Sequence, residues 1–417
     1  MDFEGNFTRV NNRNISAIRS NQPSIRLAWT RVDYAVTDHT TMFALFGQDW
    51  TPFASSTLPS LVETTGLGIG FGTLYERAPQ FRTGFNYNFG GPANFKLQPE
   101  FAIVLPVFGN LPSLIADQLA FGERQGVDSG RPEVQGRIVA QFQLDKAKGV
   151  APAQIIASFM QGARRAIVTA AAVPCTNGTV VLTCPAGTNA FRNAFPRGVR
   201  AGSDRFGYTA EIQLPTRYFT LIAKYYNGED LRFYFGGQIF SNYNDVLGLC
   251  TAPPPAACTT PSPTTGVASI DGSSTVVFAF TRTGTPVVAA QRPVRSQGGF
   301  VNLGIPLSRI AGADAAGRNA GWSLYLHYGI DFAKARDVRR FTAATTGNRV
   351  KGDLAAVNIQ YKLNSWVTFV IEESYYRTRA VSGTTPAGAT ILFPLFQGVR
   401  SRAAHDLRSE IATIFTF

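Results

Sequence analysis

The sequence predicts an all-β protein, a transmembrane antiparallel β-barrel of about 16 strands (range about 14–18) with short periplasmic turns and long extracellular loops. Apolar and polar residues alternate along many segments, which places them on opposite faces of a strand. Many of these segments reach the roughly 9–11 residues that a tilted strand needs to cross a membrane, whereas strands of soluble proteins average about 5–6. The last segment, residues 410–417, also alternates and ends on Phe417.

Residues 81–89 and 95–103 show the alternation most clearly. Their phenylalanines share one face, and the other face carries Arg82, Lys96, Gln98 and Glu100. In a soluble sandwich the apolar face would point into a core, whereas in a membrane barrel it meets lipid and the polar face lines a wet lumen. Because the segments are long, we expect the phenylalanines outside and the four polar side chains inside.

The same alternation predicts strands throughout one barrel domain, residues 1–417. The expected strands are residues 2–10, 24–34, 41–48, 81–89, 95–103, 134–144, 205–214, 217–226, 298–307, 321–331, 353–363, 366–376 and 410–417. Further candidates are residues 66–74, 231–240 and 274–281. The glycines of residues 66–72 do not predict a phosphate-binding loop, because the required strand–turn–helix context is missing; they permit close packing of a neighbouring backbone.

Three long insertions interrupt the strands. Residues 163–204 and 227–296 are predicted to be long extracellular loop regions, and residues 106–133 carry apolar as well as charged residues. Loops longer than about 12–15 residues are usually functional or disordered. Residues 106–133 are therefore the candidate for a constriction loop that folds into the barrel; the alternative is packing outside, against a neighbouring protomer. The charged residues of this loop are Asp117, Glu123, Arg124, Asp128 and Arg131.

Four cysteines occur as two close pairs, both within the long insertions. Cys175 lies near Cys184, and Cys250 lies near Cys258. Cysteines in loops exposed to an oxidising compartment usually form disulfides, so we predict one disulfide within each pair. A metal site is the alternative, but the spacings lack Cys-x-x-Cys and no histidine lies nearby.

The chain has a formal net charge of +12, and its arginines are scattered rather than clustered. A nucleic-acid-binding protein would concentrate them in a basic patch, so we expect no nucleic-acid partner. Alternation instead places single cations on the lumen side of strands, where they outnumber the carboxylates and would favour anions. The alternative is that many arginines lie on loops. The residues expected to line the pore are Arg26, Arg82, Lys96, Glu100, Arg137, Arg205, Lys224, Lys362 and Arg408.

Catalytic chemistry is not indicated. The three histidines are widely separated, and no Ser/His/Asp, HExxH or Gly-x-Ser-x-Gly motif occurs. Adjacent Glu372 and Glu373 would point to opposite faces of a strand and could not act as a pair. No stretch of eighteen or so apolar residues exists, which excludes a helical membrane span. We therefore expect neither an enzyme nor a cofactor or metal.

Residues 20–90 resemble the bacterial outer-membrane porins of the DcaP type. The similar stretches are Arg-Leu-Ala-Trp at 26–29, Phe-Gly-Gln-Asp-Trp-Thr-Pro-Phe at 46–53, Leu-Pro at 58–59 and Arg-Ala-Pro-Gln-Phe-Arg at 77–82. A terminal phenylalanine such as Phe417 is also typical of outer-membrane barrels. The resemblance implies a homotrimeric barrel in outer-membrane lipid that passes small anionic or neutral solutes.

A passive diffusion channel is the leading functional hypothesis, since a barrel of sixteen to eighteen or so strands leaves an aqueous interior. The alternative is a structural or surface-array barrel that anchors its extracellular loops to partners. A third hypothesis is a transporter of hydrophobic ligands with about fourteen strands. Such a transporter would need an N-terminal plug, and strand alternation from residue 2 leaves no residues for one.

Overall fold

The chain is described by a computed structural model that covers residues 2–6, 24–62, 71–74, 76–105, 131–168, 193–231, 242–245, 278–281, 283–312, 321–337, 348–381 and 403–415. The strands are β1 (Asp2–Asn6), β2 (Ser24–Thr37), β3 (Thr40–Trp50), β4 (Arg77–Gly90), β5 (Phe95–Val104), β6 (Glu133–Phe142), β7 (Ala153–Val168), β8 (Val199–Pro215), β9 (Thr220–Glu229), β10 (Asn242–Asp245), β11 (Phe278–Phe280), β12 (Pro286–Val288), β13 (Ala290–Pro293), β14 (Arg295–Ile305), β15 (Trp322–Ala333), β16 (Asn348–Lys362), β17 (Val367–Val381) and β18 (Ala403–Phe415). One short helix, α1 (Leu307–Ile310), precedes β15.

Among the described residues, fourteen strands form one antiparallel sheet in the order β1 to β9 followed by β14 to β18. This number is the lower limit of the range expected from the sequence. The four remaining strands pair outside this sheet, β10 with β13 and β11 with β12. Within the described residues, β1 and β18 are the two edges of the main sheet. No helix in this part of the chain is long and apolar enough to cross a membrane.

The strands of the main sheet are long. All of them except β1 contain 10 to 17 residues. That length exceeds the about 5–6 residues typical of soluble strands and meets the roughly 9–11 needed to cross a bilayer.

The links between strands differ in length at the two ends of the sheet. At one end, here called the turn end, residues 38–39, 91–94, 143–152, 216–219, 306–321 and 363–366 connect consecutive strands. At the opposite end, the loop end, the links are residues 7–23, 51–76, 105–132, 169–198, 230–294, 334–347 and 382–402. Since consecutive strands are antiparallel, the links alternate between the two ends. Most turn-end links are shorter than the loop-end links, as the sequence predicts, but residues 306–321 are an exception, because this turn-end link is longer than residues 334–347 at the loop end.

The two faces of the sheet differ in polarity. Phe81, Phe85 and Phe101 are exposed on one face, whereas Arg82 and Glu100 are buried on the other. The same inversion continues along the sheet, with Ile371 exposed and the adjacent Glu372 buried. We call the apolar, exposed face the outer face and the polar face the inner face.

Several predicted boundaries are wrong. The insertion at 163–204 is shorter than predicted, because its first residues continue β7 to Val168 and its last residues begin β8 at Val199. The region 227–296 contains the end of β9, the four short strands and the start of β14. Of the candidate strands, the described part of residues 274–281 contains β11, and residues 71–74 are not a strand. Residues 66–70, 232–240 and 274–277 lie outside the described residues.

Candidate functional site

The link between β3 and β4 folds onto the inner face of the sheet. Its described residues, 51–62 and 71–74, are here called the inner segment. Phe53 packs in one buried cluster with Leu74 and with Met160 and Tyr226 of the sheet. Leu61 packs with Leu354 and Ala356, with Phe71 and Tyr376 against them. Burying a side chain such as Phe53 contributes about 1.5–3 kcal/mol.

Polar side chains of the sheet hold the backbone of the inner segment. The N–H groups of Phe53, Ser56, Ser60, Val62 and Gly72 donate, in that order, to Gln135 (2.8 Å), Glu211 (3.0 Å), Asn302 (3.5 Å), Glu372 (2.7 Å) and Asp331 (2.8 Å). These five acceptors lie on five different strands, β6, β8, β14, β17 and β15. A buried loop needs such partners, because an unpaired backbone N–H away from water is costly. The inner face therefore curves around the segment.

Glycines allow the closest approach between the inner segment and the sheet. Gly72 has a φ of +85°, and a Cβ at this position would lie 1.9 Å from the carbonyl oxygen of Gly299. A Cβ on Gly329 would lie 2.1 Å from the carbonyl oxygen of Phe71. Larger residues at either position would push the segment away from β14 and β15.

Ion pairs line the inner face between β3 and β9. Arg82 bonds Asp49 at 2.6 Å, and Glu100 accepts from Arg137 directly across the β5–β6 pairing. Lys224 and Glu211 face each other across β8 and β9, with Nζ 2.7 Å from Oε1. Burying charges is tolerated when each has a partner in good geometry, and removing one partner costs about 3–5 kcal/mol.

One ion pair spans an intervening strand. Arg205 on β8 reaches Glu133 on β6 at 2.9 Å, with Gly162 of β7 in the same row between them. A Cβ on Gly162 would lie 2.9 Å from Cγ of Glu133. The missing side chain therefore gives the guanidinium room to cross β7.

The predicted pore-lining residues fall into three groups. Arg82, Arg137, Arg205 and Lys224 lie on the inner face in ion pairs, three of them with Glu100 or Glu133. The prediction that inward-facing cations outnumber carboxylates is therefore wrong for these four residues, because each of them is paired with a carboxylate. Lys96 is half-buried on the inner face, Lys362 is exposed at the end of β16, and Arg408 is exposed beside Glu410 at 2.6 Å. The backbone of Arg26 belongs to β2, and its side chain is outside the described set.

The predicted constriction loop is only partly covered by the structure. Residues 106–130, with Asp117, Glu123, Arg124 and Asp128, lie outside the described residues, so the inward fold of this loop stays a prediction. Arg131 is exposed just before β6. The four cysteines of the predicted disulfides, Cys175, Cys184, Cys250 and Cys258, lie outside the described residues as well.

Sequence reasoning missed the inner segment. In the sequence, residues 51–65 look like a connection interrupted by prolines. The alternation of apolar and polar residues identifies strands, but it does not show where a loop packs. A weak signal was present, since Phe53, Leu58 and Leu61 are more apolar than a solvated loop requires. A second was Pro52, which cannot donate to the sheet and so ends the β3 pairing at Trp50.

A polar chamber of about 600 Å³ opens at the turn end of the inner face. Ser56 of the inner segment and the turn of Asp38 and His39 line it. Its wall comes from β3 to β7. Polar and charged side chains of this wall include Asn86, Lys96, Gln98, Arg137, Gln141 and Gln154.

Comparisons with known proteins return bacterial outer-membrane proteins among solved structures. No protein-family model matches the chain, and no curated protein matches it. The chain is similar to the outer membrane channel DcaP of Acinetobacter baumannii, with 11% identity over 99% of this chain and 79% of that chain and a TM-score of 0.49. It is also similar to OmpT, an outer membrane protein of Vibrio cholerae (12% identity, 94% of this chain, 91% of that chain, TM-score 0.37), and to OprB of Pseudomonas putida (12%, 89%, 71%, 0.41). At these identities and TM-scores the similarities by themselves assign neither fold nor function.

Proposed function

We propose that this chain is a porin of the bacterial outer membrane, a passive diffusion channel for small hydrophilic solutes. The observation that carries the proposal is the inverted polarity of a sheet of long strands. Phe85 and Ile371 are 41% and 56% exposed on the outer face, whereas Glu100 and Glu372 are buried on the inner face. A water-soluble protein would hide the apolar face, while lipid would cover it in a membrane barrel.

Single-channel recording tests this proposal. The purified protein, inserted into a planar bilayer, should give discrete conductance steps. Insertion is checked independently by protection of the strands from protease in vesicles. Protein that inserts and stays electrically silent would contradict the channel and favour a structural barrel that anchors its loops to partners.

We propose further that the inner segment narrows the pore. It contacts β6 to β9 and β14 to β17, so a solute crossing the inner face has to pass it. Replacing residues 53–61 by a glycine–serine linker of equal length should raise the single-channel conductance, because the lining loses Phe53 and Leu61. The matched control is the same replacement of residues 312–320. Equal conductance in both variants would leave residues 106–133 as the candidate constriction.

A weak preference for anions is the proposed selectivity. Lys96 supports it, since this inner-face cation makes no ion pair within the part of the chain that the structure describes. The preference should be small, because the other inner-face cations named above are paired and salt screens charges beyond roughly 10 Å at about 0.1 M. Reversal potentials in a salt gradient measure it, and cation selectivity would refute it.

A homotrimer in outer-membrane lipid is the proposed assembly, on the basis of the sequence resemblance. Native mass spectrometry from detergent should give three copies of the 45.1 kDa chain. A monomeric mass that persists across mild detergents would contradict this assembly.

A further inference from the structure

The turn-end chamber contains hydrogen-bonding groups that the protein itself does not use. Asn86, Gln98, Gln141 and Gln154 line it, each half-buried, and their side chains make no hydrogen bond within the described residues. Elsewhere on the inner face, in contrast, polar groups such as Gln135 and Glu211 bond the inner segment. Four uncommitted amides around one cavity are therefore available to a solute.

Charge in the chamber is nearly balanced, because one cation on its wall and one carboxylate in the turn make no ion pair within the described residues. Arg137 is ion-paired with Glu100 and donates to Oγ of Ser56 at 2.9 Å, so its charge is compensated. Lys96 has no such partner in the described part of the chain. Asp38, in the turn that lines the chamber, would repel a second negative charge on a bound molecule.

This combination specifies a chemical class of solute. A carboxamide both donates and accepts hydrogen bonds, as an alcohol does, so a row of amides matches a row of hydroxyls. One ammonium matches one carboxylate. The volume of about 600 Å³ lies within the range of about 300–1,000 Å³ typical of small-molecule sites.

We propose that the turn-end chamber binds polyhydroxylated monocarboxylates, the class to which gluconate belongs, on their way through the pore. The proposal rests on the proposed channel function and names its preferred solute. Lys96 holds the carboxylate, and the amides of Gln98, Gln141, Asn86 and Gln154 hold the hydroxyls.

Calorimetric titration of the full-length protein in detergent tests the site without requiring conduction. The probes are gluconate, glucose, which has the hydroxyls without the charge, and propionate, which has the charge without the hydroxyls. Gluconate should bind most tightly. Lys96→Met should weaken gluconate binding by about tenfold, the loss expected for one charge-assisted hydrogen bond, and leave glucose binding unchanged.

Two further variants sharpen the test. Gln98→Leu combined with Gln141→Leu should weaken both gluconate and glucose, because it removes hydroxyl partners. Lys362→Met, an exposed lysine outside the chamber, is the matched control and should bind all three probes as the wild type does. Each variant is first checked for native folding by circular dichroism.

The outcomes separate this site from the channel itself. Propionate binding as tightly as gluconate, or equal losses in Lys96→Met and Lys362→Met, would overturn the proposed site. A protein that conducts ions but binds no gluconate overturns the chamber alone. A protein that binds gluconate as described but never conducts supports the chamber and refutes the channel.

Discussion

Replacing Glu211 by alanine should destabilise the protein more than removing Glu211 together with its ionic partner. One carboxylate oxygen of Glu211 accepts from Nζ of Lys224 at 2.7 Å, and the other accepts from the backbone N–H of Ser56 at 3.0 Å. The side chains of both ionic partners are at most 1% exposed. Glu211 therefore compensates a buried ammonium and anchors the inner segment at the same time.

The expected free energies of unfolding follow from these two contacts. Glu211→Ala leaves the ammonium of Lys224 buried without a partner, which costs about 3–5 kcal/mol. It also removes one hydrogen bond to a charged acceptor, which contributes about 1.5–3 kcal/mol. The double variant Glu211→Leu/Lys224→Met removes both charges and fills the space with apolar atoms. Only the anchor to Ser56 is then lost, so the double variant should lie about 3 kcal/mol closer to the wild type.

Denaturant unfolding in lipid vesicles, followed by tryptophan fluorescence, measures these differences. The single variants Glu211→Leu and Lys224→Met complete the double-mutant cycle and isolate the coupling between the two charges. If the single variant Glu211→Ala and the double variant lost the same stability, the ion pair would contribute nothing beyond the anchor. The assignment of these residues to a buried inner face would then be wrong.

Three other predictions follow from the faces, the turns and the cysteines. Phe85→Arg should destabilise the inserted protein by up to about 4 kcal/mol, because it places a charge against lipid. Asn86→Arg, on the inner face, should lower the stability far less. Equal losses of stability in vesicle unfolding would contradict the assigned faces. In the turns, the side chain of Arg217 donates to Asp145 at 2.8 Å, and this bond, with the N–H of Ala147, holds the pKa of Asp145 well below its ordinary value of 3.8. A carboxyl whose pKa is lowered by folding stabilises the folded state at every pH above its unfolded-state pKa, and this stabilisation is lost only as the pH falls through the folded-state pKa. The difference in stability between the wild type and Asp145→Asn should therefore persist down to about pH 4 and disappear in stronger acid. A difference that disappears nearer neutral pH would refute the ion pair. The two local disulfides should each stabilise the chain by roughly 2–3 kcal/mol, and peptide mapping that found free thiols or crossed pairs would exclude them.

The sequence by itself determined most of the long strands and their two faces, although β7 was not among the strands expected from it. Period-two alternation is a local property, so Phe85 and Asn86 could be assigned to opposite faces without knowledge of any partner strand. The same reasoning separated Glu372 from Glu373, and the structure has the first buried and the second exposed. The approximate length of the strands could also be predicted, because proline, glycine and polar clusters mark where alternation stops. The exact ends of the strands could not be predicted, as the extension of β7 to Val168 shows.

Only the tertiary structure decided what the inner face does. Alternation shows that Arg205 points inward but not that it meets Glu133 across β7, because that contact depends on the register of three strands and on Gly162 between them. The inner segment could not be predicted for the same reason. Its partners, from Gln135 to Glu372, are far away in the chain and come together only when the sheet curves. Burial, ion pairing and the uncommitted amides of the chamber are properties of that long-range arrangement, which a local pattern does not contain.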